Sequence, residues 1–436
     1  MFAFFERLIN PFPDEEPTQP PQGIVAFCRH YTRGNEKFLL VMSLITASVA
    51  VAEVMLFGFM GQLVDWLANK NPQTFLQEEG GRLLLMSLVV VLLLPALVFL
   101  HGLLVHQTLL GNYPMLIRWQ AHRYLLKQSV SFYSNDFAGR IATKVMQTSL
   151  AVRETVMKLL DVMVYISVYF ITMLLLIAQA DLRLVIPVLL WLGVYIALQI
   201  YFVPKLKKAA MAQADARSVM TGRIVDSYTN IQTVKLFSHT ARESDYAREG
   251  LDGFLQTVHR QMRLVTGLSS SVQLSNYLLV FVISALSIWL WMHNAISIGA
   301  IAIAVSLALR LNGMAHWIMW EISGLFENIG TVADGIGTLS RPTSVTDSPD
   351  AKPLRITRGQ VEFRAVGFHY GKGGGVLRKL DLMIRPGEKI GLIGRSGAGK
   401  STLVNLLMRF YDLESGSILI DDQDIRHVSQ ESLRRQ

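Results

Sequence analysis

The chain has 436 residues, of which 51% are hydrophobic and 17% charged; the balance excludes an ordinary water-soluble domain and fits a polytopic membrane protein. Its formal net charge of +8 invites a nucleic-acid reading, but the lysines and arginines flank apolar runs, where anionic lipid and membrane topology account for them, so no nucleic-acid partner is expected. Cys28 is the only cysteine, which rules out an intrachain disulfide and leaves the redox compartment open.

Residues 1–37 read as a cytoplasmic N-terminal segment. The opening Met1-Phe-Ala-Phe-Phe-Glu-Arg7 lacks the basic lead, apolar core and cleavage site of a signal peptide. Pro11, Pro13, Pro17, Pro20 and Pro21 break up its first part, and residues 22–31 suit a short interfacial helix. Six apolar stretches follow, at 38–64, 83–107, 156–178, 184–203, 272–292 and 297–320. At ~1.5 Å per residue each can cross about 30 Å of hydrocarbon. Only residues 179–183 separate the third and fourth, which predicts a tight hairpin.

Two connections between spans are long and basic. Residues 108–155 carry Arg118, Arg123, Lys127, Arg140, Lys144 and Arg153, and residues 204–271 carry ten lysines and arginines, Lys205 to Arg263. The loops at 65–82, 179–183 and 293–296 hold few cations, so the positive-inside rule puts both termini and both long connections in the cytoplasm. Neither connection has the alternating pattern of a sheet or many helix breakers, so the flanking spans are expected to continue as helices beyond the membrane. The predicted transmembrane domain is 38–325. A linker at 326–358 holds Pro342, Pro349 and Pro353, and a soluble α/β segment occupies 359–436.

Within that segment, Gln360-Val-Glu-Phe-Arg, Leu380-Asp-Leu-Met-Ile-Arg, Glu388-Lys-Ile-Gly-Leu-Ile and Ser417-Ile-Leu-Ile read as strands, the third as a buried one, and residues 402–409 as an amphipathic helix. Between the third strand and the helix lies Gly394-Arg395-Ser396-Gly397-Ala398-Gly399-Lys400-Ser401-Thr402, which fits the phosphate-loop pattern G-x-x-x-x-G-K-[ST]. The glycines let successive N–H groups converge on phosphate oxygens, and Lys400 supplies a point charge to the terminal phosphates. Ser401 offers a hydroxyl to Mg²⁺, and the helix N-terminus adds its dipole. ATP with Mg²⁺ is therefore the expected cofactor pair.

Six spans, two long cytoplasmic connections and a C-terminal phosphate-loop domain together resemble an ABC exporter half-transporter. The resemblance covers nearly the whole chain and is most specific over 359–421, where Val361 to Tyr370 looks like the opening strands of that family's nucleotide-binding domain. It implies that Tyr370 stacks on adenine, and that Ser131 to Arg140 and Ile224 to Phe237 belong to coupling regions that pass motion to the membrane bundle. Tyr411 to Asp421 is similar to the family's segment after the phosphate-loop helix; Asp422 departs from the glycine usual in the turn that follows. The family also uses a glutamine loop, a signature motif, an Asp-Glu pair and a switch histidine. None of these follows Lys400 here, so the chain is expected to stop before the glutamine loop and to be unable by itself to hydrolyse ATP. Asp421, Asp422 and Asp424 read as a solvated acidic turn.

Ionisable groups inside apolar spans are costly unless they face a cavity or a partner. Glu53, His101, Arg310, His316 and Glu321 lie in or near such spans. Glu53 in the first and Arg310 in the sixth fall at similar depths, about 18–20 Å from the outer ends, so both are expected to face the bundle interior and to pair, either as a purely structural ion pair or as part of a substrate pathway. Glu321, nearer the cytoplasm, is expected to snorkel. The resulting expectation is a mostly α, six-helix exporter-type bundle with long cytoplasmic extensions, followed by an incomplete α/β P-loop domain. Its partners would be a second half-transporter, membrane lipid and a hydrophobic or amphipathic small-molecule or lipid substrate; the competing reading is a non-catalytic membrane remnant that binds nucleotide weakly.

Overall fold

The computed structural model describes residues 1–134, 136–237, 239–371 and 376–436. Asn135, inside the stretch likened to the first coupling region, lies outside them. A helix α1 spans Ile24–Thr32. Six helical segments are long and apolar enough to cross a membrane: α2 (Glu36–Asn69), α3 (Phe75–Leu126), α4 (Ala138–Ala180), α5 (Leu182–Thr229), α6 (Thr240–Met292) and α7 (Ile298–Leu339). Each apolar stretch read from the sequence lies inside one of them to within a residue at its start, and five run to more than 40 residues, so the helices do continue past the apolar runs. The predicted hairpin between the third and fourth spans is tight. α4 ends at Ala180, and the Asp181 side chain accepts the Arg183 N–H at 2.8 Å as the next helix starts.

Two compact units emerge, and they cut across the spans. One holds Lys37–Leu104 and Met157–Phe326. Its core joins Val54, Tyr169, Met173, Trp191, Ile283 and Leu307, all buried. A buried polar ladder crosses it: Trp191 Nε1 donates to Asn276 Oδ1 at 2.9 Å, and Asn276 Nδ2 donates to Asn312 Oδ1 at 3.0 Å. Each bond satisfies a group that would otherwise be stranded away from water. Phe281 and Leu274 remain 69% and 70% exposed on the same helix that carries Asn276, as expected of residues whose solvent is lipid.

The other unit holds Met1–Glu36, Val105–Val156 and Glu327–Gln436. The N-terminal segment lies along the end of α3, where Trp119 Nε1 donates to Pro13 O at 3.0 Å and Arg123 donates to Glu15 O at 2.8 Å. α7 continues to Leu339, fourteen residues into the predicted linker; Pro342 is the first residue that stops it. Beyond the linker, β1 (Val361–Phe368), β2 (Leu377–Ile384), β3 (Ser415–Ile420) and β4 (Gln423–Asp424) form an antiparallel sheet in the order β2-β1-β3-β4. A helix α8 (Lys400–Leu407) packs Leu403 and Leu406 against Phe363, Val366 and Ile418.

One predicted strand is missing. Residues 388–393 have no strand partner, Ile390 and Leu392 are exposed, and Ile393 is 99% exposed. A run of apolar residues without alternation describes a strand covered on both faces and paired on its edges. None of the described residues supplies those neighbours.

Candidate nucleotide site and membrane cavity

β2 delivers the chain through Gly387 (φ +72°) and the irregular run 388–393 to the loop that precedes α8. Gly397 and Gly399 both adopt left-handed backbone, φ +85° and +92°, which a Cβ opposes. At Gly399 a Cβ would also lie 3.0 Å from Leu377 Cδ2 and 3.2 Å from Val376 Cγ1. The left-handed turn demands glycine, and the tight approach to β2 adds to that demand at Gly399.

Lys400 Nζ donates to Gly394 O at 2.7 Å and Arg395 O at 2.9 Å, so its ammonium spans the loop it follows. Arg395, Ser396 and Ser401 are exposed, and the first turn of α8 points free N–H groups towards the loop. Loop glycines, a held cation, an open hydroxyl and a helix N-terminus fit a polyphosphate with its magnesium ion.

Tyr370 stands beside this loop: its hydroxyl donates to Thr402 Oγ1 at 3.2 Å. Its ring meets Phe368 and Tyr411 edge to face at 4.8 and 5.1 Å and stays 46% exposed, so it is braced rather than buried.

The three aspartates of the acidic turn are engaged structurally. Asp421 and Asp422 have φ +47° and +63°, as both central residues of a two-residue hairpin require, and Asp is one of the residues that accept it. Asp421 accepts the backbone N–H groups of Thr357, Arg358, Gly359 and Gln360 at 2.6–3.0 Å. Those amides, Gly359 and Arg358 foremost, hold its carboxyl well below the usual carboxylate range. Asp422 pairs with Arg358 and Asp424 with Arg426. Among the described residues no cluster of His, Cys, Asp or Glu has metal-binding geometry.

Arg409, not singled out by sequence, is 5% exposed and in left-handed backbone. It donates to Thr346 O at 3.0 Å and pairs with Asp412 at 3.1 Å, tying the linker to the sheet domain.

In the membrane unit, Glu53 and Arg310 approach to 3.4 Å, and the Tyr165 hydroxyl donates to the same Glu53 oxygen at 2.6 Å. Arg310 and Tyr165 line a cavity of about 500 Å³ together with Val98, His101, Asp161 and Trp317. Asp161 Oδ1 is shared by the Thr46 hydroxyl and by His101 Nε2, the latter at 3.0 Å. Asp161 went unnoticed in the sequence, although a carboxylate inside the apolar stretch 156–178 was itself the signal. Glu321 departs from the sequence expectation: it does not snorkel alone but pairs with Lys158 at 2.8 Å, both side chains less than a fifth exposed. His316 Nε2 lies 3.4 Å from the Ser269 hydroxyl, away from these pairs.

A bundle of six membrane-length helices fused to a phosphate-loop domain defines a nucleotide-dependent membrane protein, and comparison with known proteins makes the class specific. Residues 38–314 match the ABC transporter transmembrane region, and residues 377–436 match the ABC transporter family's nucleotide-binding model. The chain belongs to the ABC transporter family.

An uncharacterized ABC transporter ATP-binding protein of Haemophilus influenzae is 46% identical over 438 residues, a match covering all of this chain and 71% of that protein. Human ATP-binding cassette sub-family B member 6 is 30% identical over 247 residues, covering 57% of this chain and 29% of its own length. A bacterial Atm1-family ABC exporter solved with ATP bound shares the fold, with a TM-score of 0.69 over 92% of this chain and 70% of that one, at 21% identity.

Proposed function

We propose that this chain is one half of a dimeric ABC exporter that uses ATP to move a hydrophobic or amphipathic substrate across a membrane by alternating access. The single observation that carries this reading is the phosphate loop, with its two left-handed glycines and its lysine held across the loop, on the same chain as a membrane unit with a polar-lined cavity. Lys400, Ser401 and the loop amides would hold the phosphates and magnesium ion, and Tyr370 would offer its exposed ring to the adenine. ATP supplies binding energy that draws two such domains together around it.

The second half-transporter is either another copy or a related chain. The cation-rich connections support a bacterial inner-membrane protein with both termini in the cytoplasm. Between Lys400 and Gln436 there is no Asp-Glu pair to hold magnesium and polarise water, so these 436 residues are expected to bind ATP without turning it over.

The test uses the purified chain in nanodiscs. A fluorescent ATP analogue should bind in the presence of magnesium and be displaced by ATP, and Lys400→Ala should weaken it 10- to 100-fold, the loss of a charge-assisted phosphate contact of about 1.5–3 kcal/mol. ATP turnover should stay at background. Wild-type affinity in Lys400→Ala would remove the nucleotide site, and sustained turnover abolished by that change would overturn the non-hydrolysing assignment.

A further inference from the structure

We infer that the membrane cavity binds a cationic amphiphile and that Asp161 is the carboxylate that anchors its charge. The inference deepens the transport reading and rests on it for its purpose, though not for its chemistry. Two features of the cavity carry it, the state of its carboxylate oxygens and its balance of charge.

Asp161 sits where α4 opens into a π turn over Lys158–Val162, an irregularity that recurs at functional sites. Thr46 and His101 both bond to Oδ1, so the carboxylate is fixed in orientation while Oδ2 has no hydrogen-bond partner among the described residues. At 18% exposure the side chain is largely withdrawn from solvent, yet it lines the cavity. Glu53 repeats the arrangement: Tyr165 and Arg310 both use Oε2, and Oε1 has no hydrogen-bond partner among the described residues. Glu53 lies outside the lining and offsets Arg310 by pairing with it, so Asp161 is the one lining carboxylate, and among the described residues no lysine or arginine pairs with it.

A negative charge fixed against apolar walls is costly alone and attracts a mobile cation. The remaining walls suit the rest of such a ligand. Val98 and Met314 are apolar, and Tyr165 and Trp317, packed edge to face with centroids 5.9 Å apart, add aromatic surface able to hold a cation. About 500 Å³ is room for one drug-sized molecule. An anionic ligand would have to displace Glu53 from Arg310 and would face the open oxygen of Asp161.

Tetraphenylphosphonium and tetraphenylborate provide the test, having nearly the same shape and opposite charge. Binding is measured to the purified full chain in uncharged nanodiscs, without nucleotide, after gel filtration and thermal melting of each variant. Tetraphenylphosphonium should bind and tetraphenylborate should bind at least tenfold more weakly. Asp161→Asn should weaken the cation at least tenfold, and Arg310→Gln, which removes the opposing charge, should leave it unchanged or tighten it.

A cation affinity that Asp161→Asn changes less than twofold would overturn the anchor. Tighter tetraphenylborate binding that Arg310→Gln abolishes would overturn the cationic class, and this arm needs no Asp161 variant to fold. Because no nucleotide is used, failure of the Lys400→Ala experiment would strike the transport reading and leave this result standing.

Discussion

At Asp421 one carboxylate accepts from four consecutive backbone amides, Thr357 through Gln360, and so clamps the end of the linker onto the β3–β4 hairpin. Backbone donors favour the ionised form, which is why the group titrates below the usual range. The folded value is depressed, so the stabilisation is fully present above the unfolded value near ~4 and is lost only as pH falls through the folded one. Amide exchange at 357–360 should therefore keep its protection from pH 7 down to about 5 after correction for intrinsic rates. Asp421→Ala should speed exchange at these amides at least tenfold at pH 7. Unchanged protection in the variant would show that the clamp is dispensable. The acidic run 421–424 was legible in the sequence as a turn, but its clamping partner is more than sixty residues away, a pairing no local pattern encodes. Asp161 was hidden for a related reason, since its meaning depends on Thr46 and His101, which come from two other helices.

The C-terminal end of α2 and the N-terminal end of α7 cross where two glycines meet. A Cβ on Gly299 would lie 2.1 Å from the Gly61 carbonyl oxygen and 2.5 Å from Asp65 Oδ2, whereas one on Gly61 would meet the Ile303 side chain at 2.4 Å and the Gly299 carbonyl oxygen only at 2.9 Å. A side-chain end can swing aside; a backbone carbonyl in a helix cannot. Asp65 also caps α7, accepting the Gly299 N–H and the Ser297 hydroxyl, both at 2.7 Å, so moving the helices apart breaks the cap too. Gly299→Ala should destabilise by about 2–3 kcal/mol, the upper part of the overpacking range, and Gly61→Ala by about 1 kcal/mol. Thermal melts in detergent give the comparison, and the reverse order would show that the crossing is not backbone-limited. Such crossings reflect backbone proximity and leave no periodicity to read. The helices themselves were legible because membrane-length apolar runs are among the strongest patterns a sequence carries. α7 overran its predicted end because the linker was read from Pro342, Pro349 and Pro353, which only bound the helix from beyond, while the crossing at Gly335, where a Cβ would sit 2.0 Å from Thr148 Oγ1, uses the missing side chain for close packing. Residues 388–393 failed the other way, since a strand of that composition exists only with neighbours on its edges.

For the molecule as a whole, topology is the property from which the rest of the functional reading follows, because ATP is met on one side of the membrane only. The proposed arrangement puts residues 108–155 and 204–271 on the cytoplasmic side with the phosphate loop, and the short turn at 293–296 on the other. The chain is well suited to a direct test, since its one cysteine is nearly silent. Cys28 is buried in α1, and burial pushes its thiol up to about 11, leaving little of the reactive thiolate at neutral pH. Single cysteines can thus be added without removing the native one. Asn294→Cys reports on the outer turn, where the backbone is left-handed (φ +56°) and the residue is exposed. Gly222→Cys reports on the long basic connection, at a helix position where a Cβ meets nothing within 4 Å. In intact cells a membrane-impermeant maleimide should label Asn294→Cys and leave Gly222→Cys unmodified until the membrane is opened, and the parent chain should stay unlabelled in both conditions. The opposite pattern would place the phosphate loop outside the cell, away from ATP, and would remove the basis for an ATP-driven exporter. Labelling of the unaltered chain at neutral pH would instead show that the α1 packing around Cys28 opens readily, and that the N-terminal segment is not held along α3 as the hydrogen bonds to Pro13 and Glu15 indicate.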